Sequence, residues 1–249
     1  MYINDIHILI YVAVGVAGLL IGQFIDWCNK RLPDYKKILS KEFFTEYMKH
    51  FKPNYLLMVI TAVMYLGLLY TFNISIDFFK YAALMPMLLS AFCIDYKLQI
   101  IPNRLNLTIL ELGLFFTFLN VALNISSGLN TIIESVVGAL VGGGIFLLIT
   151  VIGGWIAGKE AMGFGDVKLM GALGLILGWK AILMVSVLSF LIAAIISLPI
   201  LIIKRKNDYI PFGPFIVIAT FIVIFTPFDL LFTILMKIFT LGMWDETKF

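Results

Sequence analysis

Apolar residues in this chain run in long continuous blocks, separated by short clusters of lysine, aspartate, asparagine, proline and glycine. Alternation with a period of two, the mark of a half-buried strand, is absent, and the blocks are too long for ordinary core strands. Crossing about 30 Å of hydrocarbon takes a helix of about 20 predominantly apolar residues with all its backbone polar groups paired internally. The pattern predicts eight such helices: Ile6–Phe24, Tyr55–Phe72, Phe78–Ile94, Leu105–Leu123, Ile132–Ile156, a short one with Lys168–Leu177 at its core, Ala181–Ile203 and Phe212–Met236. The sixth has room for only a short apolar run before Gly178-Trp179-Lys180, so it is expected to begin inside the protein, as helices that carry a polar site at depth do. No basic segment precedes the first block and no small-residue cleavage site follows it, so it is expected to be retained rather than removed as a signal.

Composition turns the helix pattern into a membrane assignment. Of the 249 residues 61% are hydrophobic and 13% charged, where soluble domains carry about 25% charged residues. The expected fold class is all-α, a polytopic integral membrane protein forming a single domain over residues 1–249, with a cytoplasmic loop at 28–54. Charge supplies the orientation. Lys30, Arg31, Lys36, Lys37, Lys41, Lys49, Lys52, Lys97, Arg104, Lys159, Lys168, Lys204, Arg205 and Lys206 fall on one side of the predicted spans, and Lys80, Lys180, Lys237 and Lys248 at or beyond the other ends. Basic residues stay cytoplasmic, which puts both termini outside. The net charge of +3 therefore reflects sidedness, and the basic residues form no pattern with aromatics that would suggest a nucleic-acid partner.

The loop from Trp27 to Asn54 is the one sizeable segment outside the spans. Within Lys36–Phe51, the residues Ile38, Leu39, Phe43, Phe44, Tyr47, Met48 and Phe51 recur at roughly helical spacing, predicting an amphipathic piece on the inner leaflet or against the helix ends. Gly138, Gly142, Gly143, Gly144, Gly153, Gly154 and Gly158 in or beside the fifth span predict close helix packing. Cys28 and Cys93, with His7 and His50, are the only thiols and imidazoles, so no thiolate or imidazole metal site is expected.

Candidate chemistry is narrowed by cost, since a charge in hydrocarbon is tolerated only when paired or hydrated. Glu111, Glu134, Asp77 and Asp229 fall near outer span ends and read as interfacial. Asp26, Asp95 and Asp166 fall at the inner ends. Asp95 is expected to close the third span, with Pro102 resetting the chain and Asn103 near the cap of the next helix. Asp166 opens the sixth, after Gly163 and Gly165, which permit unusual backbone conformations and close approach; an N-cap role for Asp166 and an anchoring role for Lys168 are the plain alternatives. Both aspartates lie at the same membrane face in this topology. Two carboxylates brought together share a proton, so one can accept from an attacking water while the other donates to an amide carbonyl. No HExxH or GxSxG offers another hydrolytic route.

Four segments in order resemble the type IV prepilin peptidases, membrane aspartyl proteases of the GxGD class. They are Gly18–Pro33 (GLLIGQFIDWCNKRLP, with Gln23 where the family usually has serine), Asp95–Leu105 (DYKLQIIPNRL), Gly163–Gly174 (GFGDVKLMGALG) and Ile210–Ile216 (IPFGPFI). The resemblance implies that Asp95 and Asp166 are the catalytic pair and that the substrate is a type IV prepilin or pseudopilin. Its basic leader would be removed at the cytoplasmic face, after a glycine, while its apolar stem stays in the lipid of the cell membrane. Gly163 and Gly165 would admit the substrate backbone, Lys168 would contact Asp166 or a peptide carbonyl, and Pro102, Asn103, Pro211, Gly213 and Pro214 would shape the site or simply end loops. Asp26 matches a variable place in the family's first segment.

Many family members carry a larger loop after the first span with two CxxC pairs, and methylate the new N-terminus using S-adenosylmethionine. Here the loop is short and Cys28 stands alone, so the zinc module is missing and methylation is left as a second activity. Proteolysis itself calls for no cofactor. The competing readings are a preflagellin-type or other GxGD protease, a proton- or cation-coupled transporter using the same aspartates, and a non-catalytic assembly subunit of a pilus or secretion system.

Overall fold

The computed structural model describes residues 2–4, 6–38, 40–41, 43–47, 52–123, 128–158, 162–204 and 210–240. A minimal antiparallel pair, β1 (Tyr2–Ile3) and β2 (Ile6–His7), precedes nine helices among the described residues. They are α1 (Ile8–Arg31), α2 (Tyr55–Phe72), α3 (Ile76–Leu98), α4 (Asn103–Ala122), α5 (Gly128–Ala157), α6 (Phe164–Leu177), α7 (Trp179–Lys204), α8 (Gly213–Phe225) and α9 (Phe228–Phe239). Six of them, α1 to α5 and α7, are long and apolar enough to cross a membrane. The chain is a polytopic all-α membrane protein.

Two departures from the expected spans have local causes. The predicted last span, Phe212–Met236, is two helices, because Pro227 has no N–H to continue the ladder and pushes Thr226 into extended backbone (φ −112°, ψ 131°). Helix α3 continues through Asp95 to Leu98 and stops only when Gln99 enters the left-handed region at φ 56°. Another proline is absorbed without a break. Pro86 inside α3 leaves the Ala82 carbonyl without its helical donor, and the Tyr65 hydroxyl donates to that oxygen at 2.6 Å.

Helix α6 is the centre of the molecule. Leu169, Met170, Ala172 and Leu173 are fully or almost fully buried, and α4, α5 and α7 pack around it. A short helix apolar on all sides belongs in such a position. Its tightest neighbour is α5: a Cβ on Gly138 would collide with the Gly174 carbonyl, and one on Gly174 with the Gly138 carbonyl. Glycines four apart do the same for α1 and α2, where a Cβ on Gly18 or Gly22 would sit 2.6 Å from the Ala62 or Met58 Cα. Without a hydrophobic drive between helices in lipid, such backbone contact supplies the packing. Leu9, Val12, Val16 and Leu20 on α1 and Leu140, Leu148, Val151 and Ile156 on α5 remain exposed, as lipid-facing side chains should.

Of the predicted amphipathic loop segment, Leu39, Met48 and Phe51 lie outside the described residues, as do Lys49, Lys159, Arg205, Lys206 and Lys248 from the charge argument. The described part is one π-helical turn, Phe43–Tyr47. It folds back on α1: Trp27 meets Phe43 and Tyr47 ring to ring, and its Nε1–H donates to Ile38 O at 3.0 Å. Gln23 anchors the return, donating to the Tyr47 hydroxyl and to Lys52 O and accepting the Asn54 N–H at 3.0 Å. Asp26 accepts from Lys30, Tyr47 and Asn54. Burial, then the Asp26 carboxylate, pushes the Tyr47 phenol up to about 12, which keeps it a donor.

Candidate active site

Three helix ends meet where the two inner aspartates lie. Asp95 sits in the last turn of α3, 4% exposed. Asp166 sits in the first turn of α6, 5% exposed. The N-terminus of α8 completes the corner: the Gly213 N–H donates to Asp95 Oδ2 at 2.9 Å. A helix start offers unpaired N–H groups and a positive dipole end, so it favours negative charge on that carboxylate. Gly213 is required by space, since a Cβ there would lie 2.6 Å from the same oxygen.

Both aspartates line one cavity of about 500 Å³, together with Gln99, Ile101, Asn103, Gly163, Gly165, Lys168 and Phe212. Residues 71 positions apart are thus brought to one space by α4 going away and α5 returning. Among the described residues no group of three or more His, Cys, Asp or Glu could hold a metal ion.

The remaining sequence candidates fall around this cavity, several in roles other than those expected. Asp166 is not an N-cap: Gly163 occupies that position and its carbonyl accepts the Asp166 N–H at 3.0 Å. Gly163 has φ −68°, and neither it nor Gly165 adopts a left-handed conformation. Gly165 suits a close approach, since a Cβ there would fall a tight 3.2 Å from Ile101 Cβ. Lys168 reaches neither Asp166 nor a described peptide carbonyl but donates to Asn103 Oδ1 at 2.8 Å. Asn103 is the first residue of α4 and no cap; Pro102, buried, takes the cap position. The turn Pro211-Phe212-Gly213-Pro214 borders the site through Gly213 and Phe212 and does not merely end a loop.

Sequence reasoning missed Asn106. It is 4% exposed and its Nδ2–H donates to Gly165 O at 3.0 Å, tying α4 to the start of α6. An asparagine inside an apolar helix was a readable sign, since such a group must find a partner.

The profile of the type IV leader peptidase family matches residues 82–198. That stretch contains both Asp95 and Asp166. Over that stretch the chain is similar to the type IV leader peptidase family. Relatives agree: the prepilin leader peptidase/N-methyltransferase of Aeromonas hydrophila is 34% identical over 131 residues, 52% of this chain and 43% of its own. The protein of the same description from Escherichia coli (strain K12) is 35% identical over 133 residues, 52% of this chain and 55% of its own. That of Xanthomonas campestris is 29% identical over 174 residues, 69% and 58% of the two chains. The chain spans about half the length of the curated relatives it matches. No solved structure matches it.

Proposed function

We propose that the protein is a membrane aspartyl endopeptidase that removes the basic leader from type IV prepilins or pseudopilins at the cytoplasmic face of the cell membrane. One observation carries the reading: two buried carboxylates from distant helices share a cavity at one end of the bundle, and one of them accepts an N–H from the start of a third helix. In this reading Asp95, stabilised as the anion by Gly213, is the base and Asp166 holds the proton. Water attacks the scissile carbonyl carbon as Asp95 takes its proton; Asp166 gives its proton to the carbonyl oxygen. The tetrahedral diol then collapses, the C–N bond breaks, and the departing nitrogen takes a proton back from the pair.

The orientation with both termini outside rests on the lysine and arginine asymmetry. It places the cavity with the basic leader in the cytoplasm, where an acidic pair favours encounter. Lys168, held by Asn103 at the cavity wall, is placed to touch a substrate carbonyl. S-adenosylmethionine as a cofactor for a second activity is tested by label transfer to mature pilin. The proteolytic reading is tested by co-expression with a prepilin and a gel shift for leader removal. Wild type should cleave, and Asp95→Asn and Asp166→Asn should each lose at least 100-fold, the low end of the range for removing a general acid or base. Full cleavage by either variant would remove that residue from the mechanism. A transporter would show no cleavage at all.

A further inference from the structure

A second opening adjoins the catalytic cavity. It is a groove of about 460 Å³ beside α4 and α6, with Ala139 of α5 at its edge, lined by Asn106, Leu107, Leu110, Ala139, Gly171 and Ala172. Its floor is nearly all apolar, and Leu107 and Leu110 are 55% and 39% exposed. The groove and the catalytic cavity share two wall residues, Asn103 and Lys168, and the hydrogen bond between these side chains forms the partition. No residue lining the other large opening, the apolar cavity among Ile21, Phe24, Tyr65, Pro86 and Met87, lines the catalytic cavity.

We propose that the groove between α4 and α6 seats the apolar segment of the substrate that immediately follows the cleaved bond. The inference rests on the peptidase reading and names which wall of the bundle receives the substrate. A peptide bound for cleavage must be unwound at the scissile bond, while the apolar stem beyond it is helical in lipid. The stem's first four N–H groups then have no partner of their own. Asn106 offers the matching acceptor at the groove: its Nδ2 is committed to Gly165 O, which fixes the amide orientation, and its Oδ1 has no partner. That oxygen is closed from solvent, so the wall must part slightly for a substrate N–H to reach it, and an unpaired buried acceptor favours such parting. The same amide holds Gly165 in the first turn of α6, which also carries Asp166, so seating the stem and positioning the scissile bond are coupled through one side chain.

The test uses a prepilin that the wild-type protein cleaves in the same membranes, so failure of the peptidase reading is seen first, as uncut substrate. Leu107 lines both the groove and the other apolar cavity, so the reporter is Leu110, which lines the groove and not that cavity. In an Asp166→Asn background that holds uncut prepilin, Leu110→p-benzoylphenylalanine should photocrosslink to the stem just after the junction. Ala83→p-benzoylphenylalanine in the other apolar cavity and Val59→p-benzoylphenylalanine on lipid-facing α2 should not. Crosslinks at Ala83 or Val59 with none at 110 would overturn the proposal. As an independent readout, Ala139→Phe fills the groove and should raise KM for prepilin about tenfold with kcat kept, the signature of lost uniform binding. An unchanged KM in folded Ala139→Phe protein would also overturn it.

Discussion

At the scale of single residues, the site depends on one backbone donor as much as on two acids. Replacing Gly213 by alanine would put a methyl 2.6 Å from Asp95 Oδ2, forcing the carboxylate away from the N–H that holds it. The expected result is a loss of roughly 100-fold in kcat, in line with deleting one preorganised donor at a charged centre, while the purified protein keeps its wild-type melting temperature within a few degrees. Full activity would show that the Gly213 contact is incidental. In the proposed mechanism the proton held by Asp95 and Asp166 also dictates the form of the pH profile. Adding a second proton removes the base and causes the acid limb, and losing both removes the acid and causes the alkaline limb, so kcat/KM should be bell-shaped with apparent values that belong to the pair. A single-limbed profile across both transitions would point to one titrating group. Bordering an apolar block did not by itself single out the two aspartates, since Asp26, Asp77, Glu111, Glu134 and Asp229 do the same; their place in the GFGD and DYKLQIIPNRL segments of the resembled family did. The Gly213 N–H was not legible in the sequence, since a main-chain donor has no side-chain signature. Nor was the Lys168 contact, which depends on Asn103, 65 residues away, arriving beside it.

Among the elements, boundaries were legible where proline and glycine punctuate the chain and illegible where tertiary contact decides. The six long helices followed from block length. The break at Pro227 was available from the residue itself, yet the flanking residues are apolar enough to hide it. The extension of α3 past Asp95 was not available, because it depends on Gln99 adopting a left-handed cap. Gln23 shows how an apparent defect can acquire a role: where the resembled pattern has serine, the longer amide reaches Tyr47, Lys52 and Asn54 and fastens the return from the short loop. Tyr47→Phe should therefore lower thermal stability by the equivalent of about 1 kcal/mol, the net value of a typical hydrogen bond, with cleavage intact; a stability unchanged by calorimetry would mean the aromatic contacts with Trp27 and the Gln23 bonds to Lys52 and Asn54 hold the loop without the phenol. Contact between α5 and α6 is less forgiving. Gly174→Val would drive a branched side chain into the Gly138 backbone and tilt the helix that carries Asp166, so both folding yield and activity should fall. Gly144→Val, at a glycine with nothing within 4 Å of a new Cβ, should be tolerated, and a comparable loss there would mean that general helix propensity rather than backbone contact is at stake.

For the whole molecule the governing quantity is which end of the bundle faces the cytoplasm. The C-terminal end of α3 carries Asp95 in its last turn, Gln99 as its cap and the approach to α4, while the turn between α2 and α3, with Asn73 and Ser75, lies at the other end of α3. The chain's charge pattern puts the first end inside and the second outside. The prediction needs two reporters and a clean background, obtained by replacing Cys28 and Cys93 with serine. Ile100→Cys and Ile74→Cys then mark the two ends of α3, and both positions are well exposed, at 50% and 56%. A membrane-impermeant maleimide added to intact cells should modify Cys only in the Ile74→Cys protein. Inverted membrane vesicles should reverse the result. Labelling of the Ile100→Cys protein from outside would place the carboxylate cavity on the far face, away from any leader held in the cytoplasm, and no adjustment of side chains within the site could restore the proposed reaction. Equal labelling of both from one side would instead mean that α3 does not cross the membrane, although its length and composition suit it to do so. Orientation thus joins the lysine distribution to the chemistry of the two acids: a peptidase with this cavity works only on the side of the membrane where its basic residues keep it.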